Sequence, residues 1–122
     1  MEKKRVGLIT TNKVLAQSIA ITIGSYPDLP LEPFLLLNSS QAVLGAEVLG
    51  IDVAVVDAME GVSDLCEELR KKVPECRILL FAPQDNPTVR NMAIKAMKSK
   101  TIDDFVMSDA SLDYMLAKLI VL

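Results

Sequence analysis

Ile51-Asp52-Val53-Ala54-Val55-Val56-Asp57 is the stretch that decides the fold. Apart from Asp52 it is apolar from Ile51 to Val56 and rich in β-branched side chains, and it ends on a carboxylate. Such a run lacks the in–out alternation of a strand with one wet face. It reads as a strand covered on both sides. Four more short apolar runs lie around it: Arg5 to Thr10, Pro33 to Leu37, Arg77 to Ala82 and Asp104 to Met107.

Each run is followed by an amphipathic stretch with helix signals. The first helix opens with Thr11 or Asn12 as N-cap and closes near Gly24, with Val14, Leu15, Ile19 and Ile23 on one face. The second opens at Asn38 or Ser39 and carries Val43, Ala46 and Leu49. The third starts around Ser63, runs through Leu65 and Leu69 to Val73, and is stopped by Pro74. In the fourth, Asn86 caps and Pro87 takes the first helical position, where its missing N–H costs nothing. Its apolar face is Val89, Met92, Ala93, Ala96 and Met97. Ser111 caps the last, with Leu112, Met115, Leu116, Leu119 and Ile120 at helical spacing. Strict strand–helix alternation with doubly covered strands predicts right-handed crossovers and a parallel sheet. Five units in 122 residues predict an α/β, flavodoxin-like doubly wound (βα)5 three-layer sandwich of strand order 2-1-3-4-5, a single domain over residues 1–122.

Composition narrows the chemistry. Hydrophobic residues make up 51% of the chain, with only 5 Gly and 6 Pro, which excludes disorder and low complexity. There is no His, which removes imidazole acid–base catalysis, Ser-His and Cys-His dyads and His-containing zinc sites. The net charge of −3 recommends neither nucleic acid nor an anionic membrane as a partner of this domain. Cys66 and Cys76 lack CxxC spacing and metal-ligand company, so they are expected to be reduced, buried thiols. The apolar run behind Met1-Glu2-Lys3-Lys4-Arg5 is too short for a signal peptide and no run is long enough to span a membrane, so a cytoplasmic location is expected. No Gly-rich phosphate loop occurs, and the basic clusters Arg70-Lys71-Lys72 and Lys95, Lys98, Lys100 read as solvated helix faces. The methionines at 92, 97 and 115 read as core fillers.

A doubly wound sheet carries its site at the carboxyl ends of its strands. That rule selects Thr10, Thr11 and Asn12 after the first strand, Asp57 to Gly61 after the third, Ala82 and Pro83 after the fourth and Ser108 after the fifth. Asp57 has two readings: an acyl-phosphate nucleophile, or a residue that caps or tightens the turn into the third helix. Thr10-Thr11-Asn12 before a helix could meet an anion, although plain N-capping uses the same residues.

In its order and spacing the chain resembles the receiver domains of bacterial two-component response regulators, and most of all those that precede a LuxR-type helix-turn-helix. Arg5-Val6-Gly7-Leu8-Ile9 is similar to the first receiver strand, Tyr26-Pro27-Asp28-Leu29 to the Pro-Asp after the first helix, and Asp52 to Asp57 to the phosphoacceptor strand. Ser108-Asp109-Ala110-Ser111 is similar to the close of the fifth strand in that subgroup. The resemblance covers residues 4 to 120 and implies a CheY-like signalling module rather than an enzyme.

It also implies a phosphorylation site, and here the sequence departs from the receiver pattern. A working receiver holds Mg²⁺ with two acids after the first strand and grips the phosphoryl group with a hydroxyl and a Lys, because two anions must be brought together. Here the acid pair falls on Thr10 and Thr11, the hydroxyl on Ala82 and the Lys on Ser108. Asp57 remains as a vestigial phosphoacceptor, Met59 could offer a carbonyl to a metal, and Glu60 could assist if its loop folded back. Phe105 takes the switch aromatic position. The expectation is a degenerate receiver with no catalytic residue, no cofactor and no bound Mg²⁺. It would act on a protein partner or an attached output domain, with homodimerisation through helix four, strand five and helix five as one mode. The chain could be the N-terminal part of a longer regulator. Two alternatives stay open: a phosphorelay receiver still phosphorylated at Asp57, and a small-molecule-binding flavodoxin-like module using the Thr-lined crevice.

Overall fold

The computed structural model describes residues 3–36, 39–58, 61–83 and 86–122, with 39 and 40 by backbone alone. Strands β1 (Lys4–Ile9), β2 (Leu31–Leu35), β3 (Val53–Asp57), β4 (Arg77–Ala82) and β5 (Asp104–Met107) alternate with helices α1 (Lys13–Gly24), α2 (Ser39–Leu49), α3 (Val62–Lys72), α4 (Pro87–Lys98) and α5 (Leu112–Val121). All pairings are parallel, in the order β2-β1-β3-β4-β5. The flavodoxin-like (βα)5 architecture expected from the sequence is the observed one.

The doubly covered reading of residues 51–57 has a direct physical basis. Ala54 and Val56 face a core built with α2, α3 and α4, including Ala46, Leu65, Leu69 and Ala93. Val53 and Val55 face a second core on the other side of the sheet, with Ala16, Ile19, Met115 and Leu119 from α1 and α5. Neither side of β3 is wet, so neither side tolerates a polar residue until Asp57 at its end.

Asn12, Asn86 and Ser111 cap α1, α4 and α5 as expected, each accepting from a backbone N–H three residues on. Three local readings need correction. The second strand begins at Leu31, not Pro33, because Leu31 is buried while Leu35 turns outward on the sheet edge. Its predicted end at Leu37, and Asn38 as a cap, lie outside the described residues. Val14 is 73% exposed rather than on the buried face of α1, which Leu15, Ala16, Ile19 and Ile23 supply, and Ile120 is also exposed. Cys66 and Cys76 are free and buried.

Candidate functional site

The strand order reverses between β1 and β3, so the crevice of this fold opens where those two strands end. Ile9 pairs with Val56 in the ladder, and the next positions outward are Thr10 and Asp57. The Thr10 hydroxyl donates to Asp57 Oδ2 at 2.9 Å and accepts the Asn12 N–H at 3.0 Å. Thr10 is the one polar residue buried among those described, at 4% exposure, and its hydroxyl is engaged as both donor and acceptor. A neutral donor thus stands against the carboxylate. It satisfies one lone pair and brings no charge.

Asp57 is half-buried at the last position of β3. It does not cap α3: the N-cap there is Gly61, at φ 78°, with no side-chain hydrogen bond. Ala82, at the end of β4, is fully buried, and its carbonyl accepts the Ser108 N–H at 2.7 Å. The Ala58 N–H bonds the Phe81 carbonyl at 3.0 Å. These backbone bonds draw the ends of β3, β4 and β5 together, so Thr10, Asp57, Ala82 and Ser108 lie along one edge of the sheet. Thr11 is exposed beside them, and half-buried Phe105 packs into the core under α2, α3 and α4. Met59 and Glu60 lie outside the described residues.

Chemically, this edge offers a carboxylate, a saturated hydroxyl, a methyl and an exposed serine. Among the described residues, no three Asp, Glu or Cys side chains converge in a way that could hold a metal ion. The Thr10 bond to Asp57 was not anticipated from sequence. Its signal was available: a short hydroxyl one residue beyond β1, level with a carboxylate one strand away.

At the opposite end of the sheet, Arg70 departs from the solvated face expected of it. Its guanidinium bonds Asp103 Oδ2 at 2.7 Å and the carbonyls of Cys76 and Thr101. Burial pushes the Asp103 carboxyl up. The Ile78 N–H, Arg70 and Arg77 outweigh this, so it titrates below its ordinary range. On the flank of α5, Lys118 reaches Asp104 at 2.5 Å, and this hydrogen bond holds its ammonium above the ordinary lysine range.

No protein-family model matches the chain, and no curated protein matches it. Solved structures do. The receiver domain of the Francisella response regulator 1452 superposes with a TM-score of 0.81 at 19% identity, covering 98% of this chain and 95% of that one. A LuxR-family DNA-binding response regulator from Staphylococcus aureus gives 0.74 at 16% identity, over 95% of each chain. The Vibrio cholerae chemotaxis protein CheY4 gives 0.77 at 14% identity, over 96% of each. At such identities the likeness shows the CheY-like fold, and the chemistry has to be read from the residues of this chain.

Proposed function

We propose that this chain is an atypical receiver domain that signals through protein contact, without ordinary Mg²⁺-dependent phosphorylation of Asp57. One observation carries the reading: the residue that hydrogen-bonds Asp57 from the end of β1 is the neutral Thr10, at a position where the receiver pattern calls for a metal-binding carboxylate. Transfer of a phosphoryl group to a carboxylate requires cationic help. Thr10, Thr11, Ala82 and Ser108 supply hydroxyls and a methyl group, and a neutral hydroxyl cannot replace Mg²⁺ or a lysine. Without a hydroxyl at Ala82, a phosphoryl group would have no handle with which to pull the end of β4 and admit Phe105 behind it.

The test is an amide NMR spectrum of the chain before and after millimolar-range Mg²⁺, alone and with beryllofluoride. The expected result is an unchanged spectrum. Shifts clustered at Asp57, Thr10 and Ser108 and spreading to Phe105 would overturn the reading in favour of a receiver still phosphorylated at Asp57. A ligand that copurified and shifted only Thr10 to Asn12 would favour a small-molecule module instead.

A further inference from the structure

We propose that the groove between α3 and α4 is a docking site for an acidic, amphipathic segment of a partner protein. The groove has a volume of about 560 Å³. Met92 and Ala96 supply its apolar surface, Asn91 and Thr88 its polar surface, and Lys95 and Glu67 face it from its two sides.

Charge selects the occupant. The chain carries a net charge of −3, yet from Asn86 to Ile102 it has no acidic residue and four basic ones. Of these, Lys95, Lys98 and Lys100 are exposed, and none enters an ion pair among the described residues. Lys95 and Lys98 stand in the last turn of α4 and complement the helix dipole through space, which leaves their ammonium groups exposed, and the terminal carbonyls of α4 are bonded within the chain. Lys95 O accepts the Ser99 N–H, Met97 O the Lys100 N–H and Ala96 O the Thr101 N–H.

Lys100 stands just past the end of α4. It is the one non-glycine residue with positive φ among those described, at 63°. Its two bonds, Lys100 N–H to Met97 O and Thr101 N–H to Ala96 O, form the same helix stop that Gly50 makes after α2. A lysine thus stands at a backbone position that favours glycine, and it extends the cationic flank beyond the helix.

The wall opposite decides between classes of anion. Glu67 faces the groove from α3, with Asp64 and Glu68 exposed on the same helix outside the lining, and this acidic side would repel a continuous phosphate backbone. An amphipathic peptide can turn its carboxylates toward α4 and its apolar side chains onto Met92 and Ala96, away from Glu67. The proposal rests on the contact reading above for its role in signalling. A response of Asp57 to beryllofluoride would overturn that reading, while the groove is tested at separate residues.

The test is an amide-shift titration of the whole chain with a dodecapeptide of repeating Glu-Leu-Leu-Glu. At peptide concentrations up to about 1 mM, the weak end of specific association, shifts are expected at Thr88, Asn91, Met92 and Ala96. Affinity should fall about tenfold in a Lys95→Glu/Lys98→Glu variant and should rise in Glu67→Lys. Lys95→Met/Lys98→Met, which only removes charge, replaces the reversal if that variant fails to fold. Absence of shifts, shifts centred on α1 or α5, or affinity indifferent to Lys95 and Lys98 would overturn the proposal. So would stronger binding of an oligothymidine at the same residues, which would make the patch a nucleic-acid surface.

Discussion

Thr10 and Asp57 end neighbouring strands on either side of the point where the strand order reverses, and they are joined by a 2.9 Å hydrogen bond from hydroxyl to carboxylate. The bond gives the carboxylate one neutral donor and brings no charge to it. Thr10→Val keeps the shape and removes the donor, leaving the Asn12 N–H and one Asp57 oxygen without that partner. The expected cost is about 1–3 kcal/mol in urea unfolding. Thr10→Asp instead sets two carboxylates side by side. That variant is expected to be destabilised in EDTA and to recover stability with Mg²⁺ by mass action, whereas the native chain gains nothing from the ion. A gain of the native chain in Mg²⁺ as large as the variant's would show that the native edge already binds the metal.

Asp103 provides the expected pH dependence. Its carboxyl lies below the ordinary 3.8, since the Ile78 N–H, Arg70 and Arg77 more than offset its burial. A depressed carboxylate contributes stability that is complete above the unfolded value and is lost as pH falls through the folded one. The contribution should therefore be whole at neutral pH and disappear below about pH 4. Asp103→Asn is expected to lose about 1–3 kcal/mol at neutral pH and to flatten the acid limb of the stability profile. Parallel profiles for the two proteins would remove Asp103 from the acid sensitivity.

The two thiols should be silent in the folded protein. Burial pushes Cys66 up to about 12, with the Arg70 charge opposing and Glu67 adding. Burial likewise raises Cys76 to about 11, again against Arg70. The nucleophile is the thiolate, so an aromatic disulfide reagent at mildly alkaline pH should label neither cysteine in the native chain. Both should react once urea unfolds it, at a rate that follows the open population. Rapid stoichiometric labelling of either one in the native state would contradict the burial seen here.

Most of the architecture was legible because burial on both faces leaves a mark that no surface element imitates. Arg77 to Ala82 and Asp104 to Met107 were read to the residue, and Asn12, Asn86 and Ser111 disclosed the helix starts. The edge strand was legible only in part. Glu32 and Pro33 follow buried Leu31 and interrupt the apolar run, so hydrophobicity alone did not mark where the strand begins. The site was legible as a set of positions along the sheet edge. The Thr10–Asp57 bond depends on a register between strands that no single run encodes, and Arg70 reaches partners 31 and 33 residues away. Lys100 was hidden for another reason: a lysine carries no sequence sign of positive φ, whereas Gly50 does.

That contrast yields the sharpest stability prediction. α2 and α4 end in the same pair of hydrogen bonds, with Gly50 at φ 65° in one and Lys100 at φ 63° in the other. An L-residue with a Cβ in this region costs roughly 1–2 kcal/mol. Lys100→Gly is therefore expected to stabilise the chain by about 1 kcal/mol, a rise of about 4 °C in Tm for a domain of this size. Gly50→Ala should lose a comparable amount, and for backbone reasons alone, since its Cβ would meet only Arg5 Nη1 at 3.7 Å. If the cationic flank of α4 docks an acidic segment, Lys100→Gly should also weaken the peptide titration by about two- to threefold, the worth of one exposed charge pair. Higher stability with unchanged affinity would confine the function of the flank to Lys95 and Lys98. No gain in stability would mean that the lysine side chain offsets its own backbone strain.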